Sequence, residues 1–132
     1  MYHLNFDTYN IMFYSDFTYS HYENPHNVGN VANHTHEAMI GSPFSGAVIK
    51  VTAKVENNTI KDIAFKAYGG GAVIASMSLF TEKIKNQTVE FALSIKSNDL
   101  SEELSLEPVK IVYSMMAIDV IHQLFKNDVQ KK

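Results

Sequence analysis

Two stretches of this chain carry residue types whose spacing could support chemistry. His34-x-His36-Glu37 offers imidazole and carboxylate donors close together. Two histidines at i, i+2 face apart on a helix, however, and on a strand they would still need further ligands to close a metal site. The reading is a solvated loop without metal. The second stretch is Gly69-Gly70-Gly71, set between a strand-like run and a helical one. Glycines there free the backbone to take positive φ and approach another group closely, while amides at a helix start point outward at a polar partner. A P-loop needs a lysine directly after its last glycine, and none follows before Lys83. A dinucleotide fingerprint counted from Gly69 puts Ile74 where a small residue belongs. What stays open is a binding turn of another kind, or a tight turn with no ligand. Ser45 and Ser114 are candidate nucleophiles, but neither sits in a Gly-x-Ser-x-Gly elbow, and no histidine or aspartate is placed beside them by sequence.

The elements that must position these residues can be read from periodicity. Phe13, Phe17 and His21 fall four apart and predict a helix that Glu23-Asn24-Pro25 ends, because the residue before proline is pushed out of the α region. Asn27 to Thr35 reads as a loop, and Ala38 to Gly41 as a short edge strand broken at Gly41-Ser42-Pro43. In Val48 to Glu56, Ile49, Val51, Ala53 and Val55 alternate with Lys50, Thr52, Lys54 and Glu56, the pattern of a strand with one buried and one wet face. Asn57-Asn58 signals the turn of a hairpin with Thr59–Tyr68. After the glycines a helix runs to about Lys85. Thr88 caps a short helix with Glu90 in its first turn, and Ser97-Asn98-Asp99 starts another piece through Leu104. The connector Leu106-Glu107-Pro108-Val109-Lys110 leads into a last helix to about Lys126, with Met115-Met116 read as core filling. The expected fold is α+β, a small antiparallel three-stranded sheet with helices packed on one face. Residues 1–12 are expected to be a disordered extension, 13–126 the domain, and 127–132 a frayed tail.

A chain of 132 residues, 45% hydrophobic and 19% charged, is one globular domain by size and composition. A formal charge of −3 gives no electrostatic case for nucleic acid or an anionic membrane. The 11 basic residues are all lysine, so bidentate arginine clamps are absent. There is no cysteine, which excludes disulfides, thiolate metal sites and cysteine nucleophiles. No apolar run approaches the roughly 20 residues that span a bilayer, and the N-terminal residues fit no secretory or transit signal, so a cytoplasmic location is expected.

His21-Tyr22-Glu23-Asn24-Pro25-His26-Asn27-Val28-Gly29, with Tyr14-Ser15 before it, resembles the opening helix and loop of the IscU/NifU-type iron–sulfur cluster assembly scaffolds, and three further blocks match in register. Gly41 to Gly46 is similar to that family's first cluster-binding loop and Phe65 to Ser76 to its second. Glu102-Glu103-Leu104 through Pro108-Val109-Lys110-Ile111 is similar to the approach to the third. The likeness runs from about Tyr14 to Lys126.

The resemblance implies a scaffold that holds a two-iron two-sulfur cluster on three cysteines, aided by an aspartate and a histidine. It also implies sulfur received from a cysteine desulfurase and help from an Hsp70-type chaperone. By position, the first cysteine corresponds to Ser45, the aspartate to Ala47, the second cysteine to Gly70, the histidine to Val112 and the last cysteine to Tyr113. Clusters need soft thiolates; glycine, alanine and valine have no donor, and a serine hydroxyl or tyrosine phenol is hard and mostly protonated. No cofactor or metal is therefore expected, and no enzymatic activity. Leu106-Glu107-Pro108-Val109-Lys110 is similar to the family's Leu-Pro-Pro-Val-Lys chaperone-recognition segment, with glutamate for one proline. That leaves an accessory or decoy for the desulfurase or chaperone, a decayed paralogue, or, most remotely, a small hydrolase using Ser45.

Overall fold

The computed structural model describes residues 15–42 and 46–130. The hairpin is the centre of the fold. Strands β2 (Ala47–Glu56) and β3 (Thr59–Tyr68) pair antiparallel about Asn57-Asn58, both at positive φ (52° and 63°), as a two-residue hairpin turn matching strand twist requires. β1 (His36–Ser42) pairs antiparallel with β2, giving the order β1-β2-β3. It is longer than the expected Ala38–Gly41 piece, because pairing with Ala53 and Ala47 carries it through His36 at one end and Ser42 at the other. His36 and Glu37 therefore belong to a strand and not to a loop.

Among the described residues five helices accompany the strands: α1 (Asp16–Glu23), α2 (Gly71–Ile84), α3 (Val89–Ser94), α4 (Ser97–Glu103) and α5 (Ile111–Gln130), with a 3-10 turn at Pro108–Lys110 before the last. Caps explain several starts. Ser15 Oγ accepts from Thr18 N–H (3.1 Å) and Thr88 Oγ1 from Phe91 N–H (3.1 Å), so each hydroxyl satisfies an amide the helix leaves free. Asp99 reaches back to the Lys96 amide (2.8 Å) and starts α4. α5 continues to Gln130, past the expected end near Lys126. Phe13 and the expected 1–12 extension lie outside the described residues.

α2 and α5 carry the burial. Val73, Met77 and Phe80 from α2 and Ala117, Val120, Ile121 and Phe125 from α5 meet Ile49, Val51, Ala53, Ile63 and Phe65 of the sheet in one core. At roughly 25 cal/mol per Å² of apolar area, this layer of large side chains dominates the stability of the fold. Met115, expected in the core, is 51% exposed, while Met116 packs partly against it. The outer sheet face is not uniformly wet either. Thr52 is buried because the Asn27–Thr35 loop crosses it, and its Oγ1 accepts from the Val31 amide (2.9 Å). Among the described residues no helix is long and apolar enough to cross a membrane.

Candidate functional site

The glycine turn brings two separated segments together. β3 ends at Tyr68, α2 begins at Gly71, and Gly69 takes φ +147°, a conformation side chains rarely adopt. A Cβ on Gly69 would stand 3.2 Å from Gly46 O, 3.2 Å from Val73 Cγ2 and 3.3 Å from Ala47 Cβ. The backbone of the second loop thus lies directly against the end of the first, and glycine is what permits it. Gly70 is the residue capping α2; it is extended (φ −80°, ψ −179°), and a Cβ there would meet nothing within 4 Å.

Of the five positions singled out by resemblance, Ser45 lies outside the described residues. Ala47 is fully buried, at the start of β2. Gly70 is exposed at the helix start beside it. Val112 and Tyr113 are placed by the first turn of α5; Val112 is half-exposed, and Tyr113 packs partly against the core. The four described positions present a methyl, a bare backbone, an isopropyl and a phenol. None is a thiolate, imidazole or carboxylate, and the chain has no cysteine to supply one from elsewhere. The described ligand-equivalent positions offer no soft donor for a cluster as cargo.

The one described nucleophile candidate is no better placed. Ser114 is buried on α5, and its Oγ donates to Ile111 O (2.7 Å), an ordinary helix hydroxyl bond back to the preceding turn. The His34–His36 pair separates as well. His34 Nε2 stands 3.1 Å from Glu37 Oε1, whereas the His36 ring turns to Phe125, with centroids 5.5 Å apart. Among the described residues no group of three or more histidine or acidic side chains could hold a metal ion.

Sequence reasoning missed a polar cluster between α1 and α2. His21 is buried, and its Nδ1 lies 2.6 Å from Ser78 Oγ, which also accepts the His26 amide at 2.8 Å. The Phe17 ring meets the His21 ring edge-on at 4.8 Å. Glu82, one turn beyond Ser78, faces both imidazoles, with Oε2 2.5 Å from His26 Nδ1 and Oε1 3.9 Å from His21 Nε2. Burial pulls the His21 pKa below its ordinary value, reinforced by the His26 charge and opposed by Glu82 and Glu103. Residues 57 and 61 positions apart in the chain give no local pattern, so only the fold could reveal the cluster.

The Leu106–Lys110 segment is divided between core and solvent. Leu106 packs partly on the core and donates its amide to Ser101 O (3.0 Å). Glu107 is extended (φ −64°, ψ 152°), Pro108 opens the 3-10 turn, and Val109 is 74% exposed. The segment is therefore both a helix start and an exposed proline–valine step.

The profile of the NifU-like N terminal domain family matches residues 13–132. The chain is 45% identical over 114 residues to the iron–sulfur cluster assembly scaffold protein IscU of Escherichia coli, covering 83% of this chain and 89% of that one. It is 44% identical over 117 residues to the iron–sulfur cluster assembly protein IscU of Plasmodium falciparum, covering 86% and 72%. The solved N-terminal part of a nitrogen-fixing NifU-like protein from Brucella abortus superposes with a TM-score of 0.70 at 15% identity, covering 89% and 95%, a likeness of fold alone.

Proposed function

This chain belongs to the NifU-like N-terminal domain family as an IscU-like scaffold homologue, and from that premise we propose that it is a docking accessory of iron–sulfur cluster assembly which meets the scaffold's partners without carrying cluster itself. Its ligand-equivalent positions offer no soft donor, so the family's cargo has nothing to bind to. A cysteine desulfurase could be held by this fold but not relieved of sulfur, because a persulfide needs a cysteine acceptor. The proposed role is occupancy of a partner, as an accessory or decoy.

The observation that supports it is Val109, three-quarters exposed beside a proline that keeps Glu107 extended. An Hsp70-type groove takes a peptide as a strand, with Val109 as apolar anchor, Pro108 as fixed backbone and Lys110 as a charge at the rim. In the folded chain that mode requires the Pro108–Lys110 turn to open and the Lys110 amide to leave Glu107 O (2.8 Å). Leu106 would leave its seat on the core. The intact chain should therefore bind more weakly than the isolated segment.

A labelled Ser105–Tyr113 peptide and the full chain, titrated with the chaperone, test this. Glu107→Pro should tighten the peptide several-fold, since fixing one residue's backbone is worth about 1 kcal/mol, and Val109→Ala should loosen it. No binding above background, or no response to Glu107→Pro, contradicts the chaperone role and leaves a decayed paralogue.

A further inference from the structure

We propose that the open half of the outer sheet face, around Met39, Lys50, Lys66 and Tyr68, is a docking surface for an acidic segment of a partner protein that carries an apolar anchor. The surface is built on the three strands and not on the Leu106–Lys110 connector, so its failure would leave the chaperone role standing.

Strand register sets the surface. Met39 stands opposite Lys50 and Lys50 opposite Lys66; in the next row Gly41 stands opposite Val48 and Val48 opposite Tyr68. These residues alternate with Ile40, Ile49 and Phe65, which belong to the core, so they share the outer face. One row further along, Thr52 lies under the crossing loop, and Ala64 beside it is buried. That cover stops short of the next two rows. Met39 is 63% exposed and Tyr68 66%.

The charges on this face are unbalanced. Side chains directly opposite on neighbouring strands stand about 5 Å apart at Cβ, where like charges repel. Glu37 reaches Lys50 only at 4.0 Å and shares its carboxylate with His34 at 3.1 Å. Among the described residues Lys66 has no carboxylate partner, and Asp62, further along β3, is held by Lys85 at 3.3 Å. Beside the two ammonium groups lie an adaptable thioether and an aromatic ring with a polar end, side chains suited to protein recognition.

Charge and size choose the occupant. A second copy of this chain, docked across a twofold axis, would bring the same lysines to the same patch. Three strands about 4.8 Å apart and two rows along them give a floor of roughly 10 by 7 Å. That suits one segment of chain and falls far below the about 800 Å² per partner of a standard interface. Single-stranded nucleic acid draws on an aromatic side chain for each stacked base, and Tyr68 is the one aromatic in these rows. Carboxylates set over Lys50 and Lys66 relieve their repulsion, while a neighbouring apolar side chain meets Met39 and Tyr68.

The test titrates the isotope-labelled full chain with a peptide in which four glutamates flank one phenylalanine, followed by amide NMR shifts. The expected result is saturable shifts clustered at Met39, Val48, Lys50, Lys66 and Tyr68. Raising sodium chloride from about 20 mM to about 200 mM should weaken binding several-fold, as screening demands. The same peptide with glutamine for glutamate should not bind. Lys66→Glu places opposite charges across the strands, so it should melt no lower than the parent chain while binding falls by more than about tenfold. Lys126→Glu, exposed on α5, should bind as the parent does. No saturable shift at these residues, equal binding of the glutamine peptide, unchanged binding in Lys66→Glu, equal loss in Lys126→Glu, or stronger shifts there with an oligouridylate overturns the proposal.

Discussion

Gly69 and Gly70 stand next to each other and answer to different physics. Gly69 is required by its backbone, at φ +147° with Gly46 O, Val73 and Ala47 closing on the place of a Cβ. Gly69→Ala should cost about 1–3 kcal/mol, the usual range for a side chain forced into a sparsely populated backbone region. Gly70 has ordinary dihedrals and open space. Gly70→Ser should be neutral or stabilise by a few tenths of a kcal/mol, because serine caps a helix better than glycine does. Urea unfolding of the two variants checks both expectations. The comparison bears on function, since a side chain at Gly70 is sterically allowed. The missing donor there is a property of the residue chosen and not of the turn. Ala47 differs: its methyl is fully buried, and a carboxylate in that place would need partners to offset its burial.

At the scale of elements, the Leu106–Lys110 connector gives a prediction that the folded state alone can test. Glu107 already has φ −64°, the value a pyrrolidine ring imposes, and its ψ of 152° suits a residue before proline. Glu107→Pro should therefore stabilise the folded chain by about 0.4–1 kcal/mol through lower entropy of the unfolded chain, read as a higher urea midpoint at unchanged slope. A loss of stability would mean that the Glu107 amide or the Leu106 conformation matters in a way the turn does not suggest. Much of the element pattern was legible beforehand. The β2 alternation, the Asn57-Asn58 turn and the Thr88 cap are local signals, each set by side-chain period or by a hydroxyl next to a free amide. Ends were less legible. β1 is extended by its partner's register, and α5 runs on through polar residues that no stop signal interrupts. Met115 was placed wrongly because two adjacent methionines point to different sides of a helix, and periodicity alone did not choose between them.

For the molecule as a whole, the sheet and the two long helices keep the family's architecture in a chain with no cysteine. Four short blocks in order made that architecture legible, while the meeting of Gly69 with Ala47 and of His21 with Glu82 depended on contacts between distant parts of the chain. The proposed function requires that this chain not hold the cluster its relatives are named for assembling. Anaerobic incubation of the purified full chain with ferrous iron and sulfide, followed by desalting and visible spectroscopy, tests it directly. The account predicts a colourless protein without sulfide-to-iron charge-transfer absorption. A stoichiometric chromophore that survives desalting would contradict it.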